Sequence, residues 1–209
     1  MKSVAGSRTL RYLLVGFLWA LAQTAGAFTL PDTGITHCYD AGGNIIPCPQ
    51  PGQPLYGQDA QYGPGTMSFT VNGDGTVTDN NTGYMWELKA AADDVAQPAD
   101  PGDADNLYTW AAAVDLVAQL NASGYKGYHD WRLPTAAELD TLFDLSISEP
   151  GPMIDTQVFS ACRSGAYWTS DGNAEFPTQA WTLDFSTGED SPLNKTDQAF
   201  VRLVRGGIQ

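Results

Sequence analysis

The sequence has 209 residues, with 10 Lys and Arg against 24 Asp and Glu, a formal net charge of −14 and 43% hydrophobic residues. This length predicts one domain with extensions, and the hydrophobic content is too high for a globally disordered chain. The excess of acid argues against a nucleic-acid partner, because polyphosphate binding requires a basic surface that releases counterions. It argues equally against binding to an anionic membrane surface.

The first 27 residues have the order of a secretory signal peptide. Three basic residues and no acid precede an apolar run at 12–22, and an A-x-A sequence at 25–27 resembles a cleavage site. An uncleaved membrane anchor is the alternative, but the run has 11 residues, whereas spanning hydrocarbon takes about 20. We therefore predict cleavage after Ala27, no membrane insertion afterwards, and export to the periplasm or the cell exterior.

Export decides how the three cysteines are interpreted. Cys38 and Cys48 are ten residues apart with a turn sequence at 40–44 between them, so a hairpin closed by a disulfide is the favoured interpretation. Zinc is the alternative, for which His37 is the nearby additional ligand. Cys162 is left over, and we interpret it as a buried thiol rather than a nucleophile, because neither histidine lies near it in sequence.

The mature chain divides into an arm at 28–65 and a domain at 66–209. Of the 35 residues from 31 to 65, 13 are Pro or Gly, which predicts an extended arm pinned by the disulfide. The domain shows strand patterns around two helix patterns, which predicts an α+β fold with an antiparallel sheet and long loops. The predicted strands are 67–71, 76–78, 84–88, 166–170, 179–185 and 199–204, and the predicted loops are 90–106, 144–165 and 186–198.

Both helices have recognisable ends. Thr109 is a cap for a helix over 110–121 that stops at Gly124, and Thr135 with Glu138 forms a capping box for the second helix. Hydrophobic spacing predicts which side chains face inward: Val114, Val117, Ala118 and Leu120 or Ala113 in the first helix, and Leu139, Leu142 and Phe143 in the second.

Four stretches together resemble a known bacterial family. They are 72–86, 127–139, 167–170 and 200–205, and in this order they look like the family of unknown function named after the C-terminal domain of the Lcl collagen-like adhesin. The second and fourth are also similar to the formylglycine-generating-enzyme (sulfatase-modifying-factor) group. The resemblance implies a C-type lectin-like fold with two helices and a twisted antiparallel sheet.

The most specific block of the resemblance is interpreted as scaffold. We expect it to bury two apolar side chains, to pair an arginine with an acid or with carbonyl groups, and to start the second helix. Its residues are Asp130, Trp131, Arg132, Leu133, Pro134, Thr135 and Glu138.

Enzyme classes have little support in the sequence. Formylglycine-generating enzymes use a late pair of reactive cysteines with copper, and this chain has no cysteine after Cys162. A serine triad needs a histidine base, and His129 is interpreted as a turn or shell residue. A carboxylate pair for glycoside hydrolysis stays open as a minor alternative, because a chain this acidic brings some carboxylates together.

Calcium is the one cofactor that the sequence raises. Asp74 and Asp79 lie in a segment with oxygen ligands at alternate positions, and Asp100, Asp103 and Asp105 lie in an acidic loop. The first of these segments lacks the bidentate glutamate that an EF-hand needs. A hairpin turn and a solvated acidic loop are therefore the favoured interpretations.

A binding module is the function that the sequence favours. Aromatic stacking combined with Asn and Asp hydrogen bonding is typical of sugar recognition. Residues 144–178 and 186–198, which contain the late loops, supply Trp168, Asp171, Asn173, Glu175, Asp190, Asn194 and Lys195. Core packing is the alternative role for Trp168 and for Trp181, and it is the role we favour for both. The resemblance suggests sulfated glycans, but the negative charge would repel them.

We therefore expect a non-catalytic recognition or adhesion module that binds a neutral glycan or a protein surface. The alternatives are a structural or assembly component of a surface or periplasmic complex and, with less support, the hydrolase.

Overall fold

The computed structural model describes residues 35–61, 67–90, 103–104 and 106–207. The predicted signal peptide at 1–27, together with Asp100 and Asp105, lies outside these residues. Within them, no helix has the length and apolar character needed to cross a membrane.

The described residues contain two α-helices and three antiparallel sheets, which agrees with the predicted α+β class. The helices are α1 (Trp110–Ser123) and α2 (Ala136–Asp140). The strands are β1 (Cys38–Tyr39), β2 (Ile45–Ile46), β3 (Phe69–Val71), β4 (Thr76–Asp79), β5 (Tyr84–Glu87), β6 (Ala166–Gly172), β7 (Gln179–Asp184), β8 (Glu189–Asn194) and β9 (Val204–Gly206). The sheet orders are β1-β2, β3-β4-β5-β9 and β6-β7-β8.

The arm contains the predicted hairpin. β1 pairs antiparallel with β2, and the Cys38–Cys48 disulfide closes it with the two Cα atoms 5.1 Å apart. Asp40 organises the turn, because its Oδ1 accepts hydrogen bonds from the backbone N–H groups of Gly42 and Asn44 at 2.8 and 2.9 Å. The disulfide prediction is confirmed.

The four-stranded sheet joins the beginning of the domain to its end. The turn between β3 and β4 contains Gly73 and Gly75, whose positive φ angles of 81° and 84° suit glycine. β5 pairs with β9 in the register Trp86 opposite Val204. Residues 199–203, predicted as strand, form no strand of the sheet; Ala199 and Phe200 instead make isolated bridges with Tyr108 and Tyr167.

The three-stranded sheet contains a strand that the sequence did not predict. β8 pairs with β7 over six residues, inside the segment predicted as the loop 186–198. Its side chains are mostly exposed at one edge of the sheet, so β8 lacks the hydrophobic alternation that identifies strands in a sequence. The prediction of a loop was wrong at this point.

Both helices begin as predicted. Thr109 Oγ1 accepts from the Ala112 N–H, and Gly124 ends α1 with a φ of 69°. In α2 the capping box of Thr135 and Glu138 is present. The predicted inward face of α1 was partly wrong: Val114 and Ala118 are exposed, since the buried stripe is Ala113, Leu116 and Leu120.

The core consists of two clusters of buried side chains. One lies around Trp86 and Phe185 and includes Leu139, Leu142 and Phe143, whose predicted burial is confirmed. The other lies around Trp131, Trp168 and Leu203 and packs against α1. The indole rings of Trp86, Trp131 and Trp168 are all fully buried.

Candidate functional site

One face of the β6-β7-β8 sheet collects polar side chains around a tryptophan. Directly opposed residues of antiparallel strands point to the same face, and Gln179, Trp181 and Leu183 of β7 oppose Asn194, Pro192 and Asp190 of β8. We call the side of the sheet that carries these six residues the Trp181 face, although Leu183, at the end covered by α2, is buried in the first core cluster. Trp181 itself is half-buried and belongs to neither core cluster, so part of its indole is available to a ligand.

A row of side-chain amides crosses one end of the Trp181 face. Asn173 Nδ2 donates to Gln179 Oε1 at 3.2 Å, and Gln179 Nε2 donates to Asn194 Oδ1 at 3.4 Å. Asn194 Nδ2 in turn donates to Asp197 Oδ2 at 3.1 Å. Each amide group carries further donor or acceptor capacity, so the row can bond a ligand hydroxyl while it holds its own geometry.

An open cleft adjoins the other end of the face. It has a volume of about 230 Å³, and its lining residues come from α2, β7, β8 and the turn before β8: Ala136, Ala137, Asp140, Leu183, Gly188 and Asp190. Partial burial in this cleft, and then the charge of Asp190, raise the pKa of the Asp140 carboxyl. The cleft is therefore acidic, with two carboxylates that repel each other.

The structure corrects the role assigned to Trp168. Its side chain is fully buried against α1, and its indole Nε1 donates to the backbone oxygen of Tyr108 at 2.6 Å. It offers no surface to a ligand, because it completes the core between the sheet and α1. Core packing, the alternative role considered from the sequence, is the one that it has.

Asp171 and Asn173 have structural contacts that the sequence did not indicate. Asp171 Oδ2 accepts from the backbone N–H of Ala136 at 2.8 Å, which satisfies a free donor in the first turn of α2. Asn173 Oδ1 accepts from the backbone N–H groups of Glu175 and Phe176 and so holds the turn after β6. Asp171 consequently supports the scaffold, whereas Asn173 both shapes the turn and begins the amide row.

The remaining predicted contacts fall at different places. Asp190 and Asn194 lie on the Trp181 face. Glu175 is exposed beside Phe176, whose side chain is 53% exposed. Lys195 lies over the ring of Trp110, with its Nζ 4.5 Å from the ring centroid, and donates to the backbone oxygen of Pro177 at 3.0 Å.

The weak calcium candidates have turn contacts. Asp74 Oδ1 accepts from the Thr76 backbone and hydroxyl groups, and Asp79 accepts from Asn81 and Thr82. Asp103 is buried and bridges to Ala90. Among the residues described, no three His, Cys, Asp or Glu side chains are grouped so that they could hold a metal ion.

The block at 130–135 makes contacts that hold the fold together. Trp131 is buried, and its Nε1 donates to the Tyr125 backbone oxygen at 2.9 Å. Arg132 donates to both carboxylate oxygens of Glu138 at 2.5 and 2.7 Å. Asp130 accepts from Arg205 of β9 at 2.6 and 3.1 Å. These contacts connect the block to α2 and to the four-stranded sheet.

Cys162 is free and half-buried. Its Sγ lies 3.4 Å from the hydroxyl oxygen of Tyr167, whose pKa is raised by burial. This position agrees with the prediction of an unpaired thiol.

Sequence reasoning missed two members of the site, Asp140 and Gln179. In the predicted strand at 179–185, Trp181, Leu183 and Phe185 alternate with other residues and so share one face. This alternation carries no information about which of the three side chains α2 covers. To find this site from the sequence, one would have to know that β7 pairs with β8, and β8 itself was not predicted.

The comparisons with known proteins give one result. The model of a protein family described as the Lcl C-terminal domain matches residues 75–205, a range that contains both helices, β4 to β8 and the whole Trp181 face. A comparison with curated proteins found no match.

Proposed function

The chain belongs to the Lcl C-terminal domain family, and from this premise we propose that it is an exported, non-catalytic recognition module that binds a glycan on the Trp181 face. The observation that carries the proposal is the half-buried Trp181 between a row of amides and an open cleft. The contacts come from the face of a sheet rather than from the late loops expected from the sequence.

The chemistry of the face suits a sugar. The C–H groups of a pyranose ring stack on an aromatic side chain, and its hydroxyl groups both donate and accept hydrogen bonds. Trp181 would supply the stacking surface, while Gln179 and Asn194 lie on the same face and would supply paired donors and acceptors. β-strands hold these side chains at a fixed spacing, so binding would cost little ordering of the protein.

The charge of the face favours a neutral glycan. Asp140 and Asp190 line the adjoining cleft, and Asp197 ends the amide row. The whole chain carries a formal charge of −14. A sulfated or uronic-acid glycan would meet this negative potential, whereas the hydroxyl groups of a neutral sugar can donate to the carboxylates.

We further propose that the domain has a C-type lectin-like fold related to the formylglycine-generating-enzyme group, and that the chain is exported. Two helices, antiparallel sheets and the pairing of β5 with the final strand β9 support the first proposal. The signal-peptide pattern at 1–27 and the Cys38–Cys48 disulfide support the second.

The test is an array of neutral and anionic glycans, probed with the purified protein with and without calcium. The strongest neutral ligand is then titrated by calorimetry against the parent chain and Trp181→Ala. We expect Trp181→Ala to weaken binding at least tenfold, and Tyr56→Ala, which removes an exposed aromatic ring from the arm, to bind like the parent. Equal binding by Trp181→Ala and the parent would contradict the proposal.

The pair of carboxylates in the cleft favours a second candidate, a glycoside hydrolase. Asp140 and Asp190 line one cleft, and the raised pKa of Asp140 suits a proton donor. Incubation of the protein with the glycan it binds, followed by detection of reducing ends, separates the two functions. Turnover that disappears in Asp140→Asn would establish the hydrolase, and binding without turnover supports the recognition module.

A further inference from the structure

Phe176 is an exposed aromatic residue on a fixed backbone. It is 53% exposed and belongs to neither core cluster. It starts a β-turn in which its backbone oxygen accepts from the Gln179 N–H at 2.8 Å. Pro177 takes the second position of this turn, where its ring presets the φ angle that the turn needs. The Phe176 N–H donates to Asn173 Oδ1 at 3.2 Å.

The same turn is held from the end of β8. Lys195, which directly follows β8, donates from Nζ to the backbone oxygen of Pro177 at 3.0 Å. Its backbone N–H donates to the backbone oxygen of Thr178 at 2.9 Å. These hydrogen bonds fix the backbone around Phe176 while its apolar ring stays in water, where burial would be favourable. A ring held in this way can stack on a ligand at little cost in ordering the protein.

The amide row connects Phe176 to Trp181. Asn173 bonds the Phe176 N–H through Oδ1 and donates through Nδ2 to Gln179 Oε1 at 3.2 Å. Along β7, the Cα atoms of Gln179 and Trp181 are about 6.6 Å apart. The β-turn holds the Cα atom of Phe176 within about 7 Å of that of Gln179. The two aromatic residues therefore lie within about 14 Å of each other, and an amide group lies on the path between them.

Two aromatic rings on either side of hydrogen-bonding amides suit a chain of sugars. A pyranose that stacks on one ring turns its ring C–H groups to the aromatic face and its hydroxyl groups outward, towards the amides. The second ring then serves the next part of the chain. A single sugar at Trp181 would leave Phe176 without a contact, so the pair of rings favours an oligosaccharide.

We propose that Phe176 is a second stacking subsite and that the ligand is an extended oligosaccharide of neutral pyranoses with equatorial substituents, as in fragments of cellulose or chitin. This inference rests on the proposed function, because it extends the glycan site of the Trp181 face to the turn before β7. Equatorial substituents leave C–H groups on both faces of each sugar ring, which is the surface that an aromatic side chain contacts. Chains linked through equatorial positions are extended, so that successive sugars reach from Trp181 past Gln179 to Phe176.

The test is calorimetry of the full chain with two size series, cello-oligosaccharides and N-acetylated chito-oligosaccharides, from the monosaccharide to the hexasaccharide. We expect the affinity of the parent to rise about tenfold from the disaccharide to the hexasaccharide, the gain that one further stacked contact supplies. Phe176→Ala should bind the disaccharide like the parent and lose this gain. Phe176→Tyr keeps an aromatic ring and should retain the gain, and Glu175→Ala, at the neighbouring exposed residue, is the matched control.

The outcomes distinguish this inference from the proposed function. If Trp181→Ala weakens binding at every chain length while Phe176→Ala keeps the length dependence of the parent, the glycan site stands and the second subsite is overturned. If Phe176→Ala weakens binding and Trp181→Ala does not, both are overturned, because the chain then does not run over Trp181. Saturable binding by neither series also overturns this inference, while the glycan array still tests the proposed function. Thermal unfolding confirms that each variant is folded.

Discussion

Glu138 receives hydrogen bonds from Arg132 on both of its carboxylate oxygens and a third from the backbone N–H of Thr135 at 2.9 Å. One side chain thus joins the block at 130–135 to the capping box that starts α2. Because α2 supplies one wall of the acidic cleft, this carboxylate also helps to position the candidate site.

The first prediction concerns Glu138. Burial disfavours its charged form, but the hydrogen bonds from Arg132 and Thr135 outweigh that effect and lower the pKa of the Glu138 carboxyl below its ordinary 4.5. The Glu138 carboxylate therefore stabilises the fold fully above pH 4.5, and this stabilisation is lost as the pH falls through the lowered pKa of the folded state. Glu138→Gln should cost about 1–2 kcal/mol at pH 7, since Arg132 is partly exposed.

Urea unfolding at pH 7 and at pH 3 checks this prediction. The difference between Glu138→Gln and the parent should shrink at pH 3, and the exposed Glu175→Gln should show little difference at either pH. A cost for Glu138→Gln that is the same at both pH values would contradict it.

The second prediction concerns Trp131. Its indole is buried and its Nε1 donates to Tyr125, so Trp131→Ala leaves a large cavity and should cost about 3–5 kcal/mol. Trp131→Phe retains most of the packing but loses the hydrogen bond, and it should cost less. Chemical denaturation measures both, and an unchanged midpoint for Trp131→Ala would show that the indole does not support the fold.

The third prediction is that the domain folds without the arm. The described residues of the arm, 35–61, form their own two-stranded sheet, and none of them belongs to either core cluster. A chain shortened to residues 65–209 should unfold cooperatively with a Tm within about 4 °C of the parent, which corresponds to about 1 kcal/mol for a protein of this size. An insoluble product, or a melt without a cooperative transition, would make the arm part of the fold.

The fourth prediction separates a structural aspartate from a surface glutamate. Asp171 satisfies the Ala136 N–H in the first turn of α2, and losing such a cap costs about 1 kcal/mol. Glu175 is exposed three residues past β6, so Glu175→Ala should change the stability by less than about 0.5 kcal/mol. Equal effects of Asp171→Ala and Glu175→Ala on thermal unfolding would argue against the capping role.

The fifth prediction concerns the pH dependence at the cleft. Partial burial and then the charge of Asp190 raise the pKa of Asp140 above 3.8, so its ionised form is disfavoured in the folded protein. Protonated Asp140 is therefore the form that the folded protein favours. The resulting stabilisation is fully present below pH 3.8 and is lost as the pH rises through the raised pKa of the folded state. Asp140→Asn should therefore stabilise the protein at pH 7, by less than about 1 kcal/mol because the carboxyl is only partly buried.

Thermal unfolding of Asp140→Asn and the parent at pH 7 and pH 3 tests this sign. The gain in stability of Asp140→Asn over the parent should vanish at pH 3. Asp115→Asn, on the exposed surface of α1, serves as the control. A loss of stability at pH 7 would mean that the Asp140 carboxylate makes a favourable contact in the folded state.

Local patterns predicted the features whose causes are local. Thr135 and Glu138 are three residues apart and cap the same helix, and Cys38 and Cys48 flank a turn that Asp40 organises. The glycines at 73 and 75 likewise mark a hairpin whose backbone needs positive φ angles. In each case a few neighbouring residues contain the whole physical reason for the structure.

Predictions failed where burial depends on distant parts of the chain. Trp168 and Trp181 both lie in strands with similar patterns, yet α1 covers the first and leaves the second half-exposed. β8 was not predicted because its exposed side chains are mostly polar and show no strand pattern. Its pairing with β7 is what makes this segment a strand.

The sequence by itself determined the α+β class, the family resemblance, the helix caps and the disulfide, because each depends on residue types at short and recognisable spacings. Tertiary structure alone decided the sites. It brought Asp140 of α2 beside Asp190 of β8 and packed the buried guanidinium of Arg202 against the rings of Phe159 and Tyr167. These relationships involve segments that are tens of residues apart. No periodic pattern within a single segment indicates the packing that brings them together.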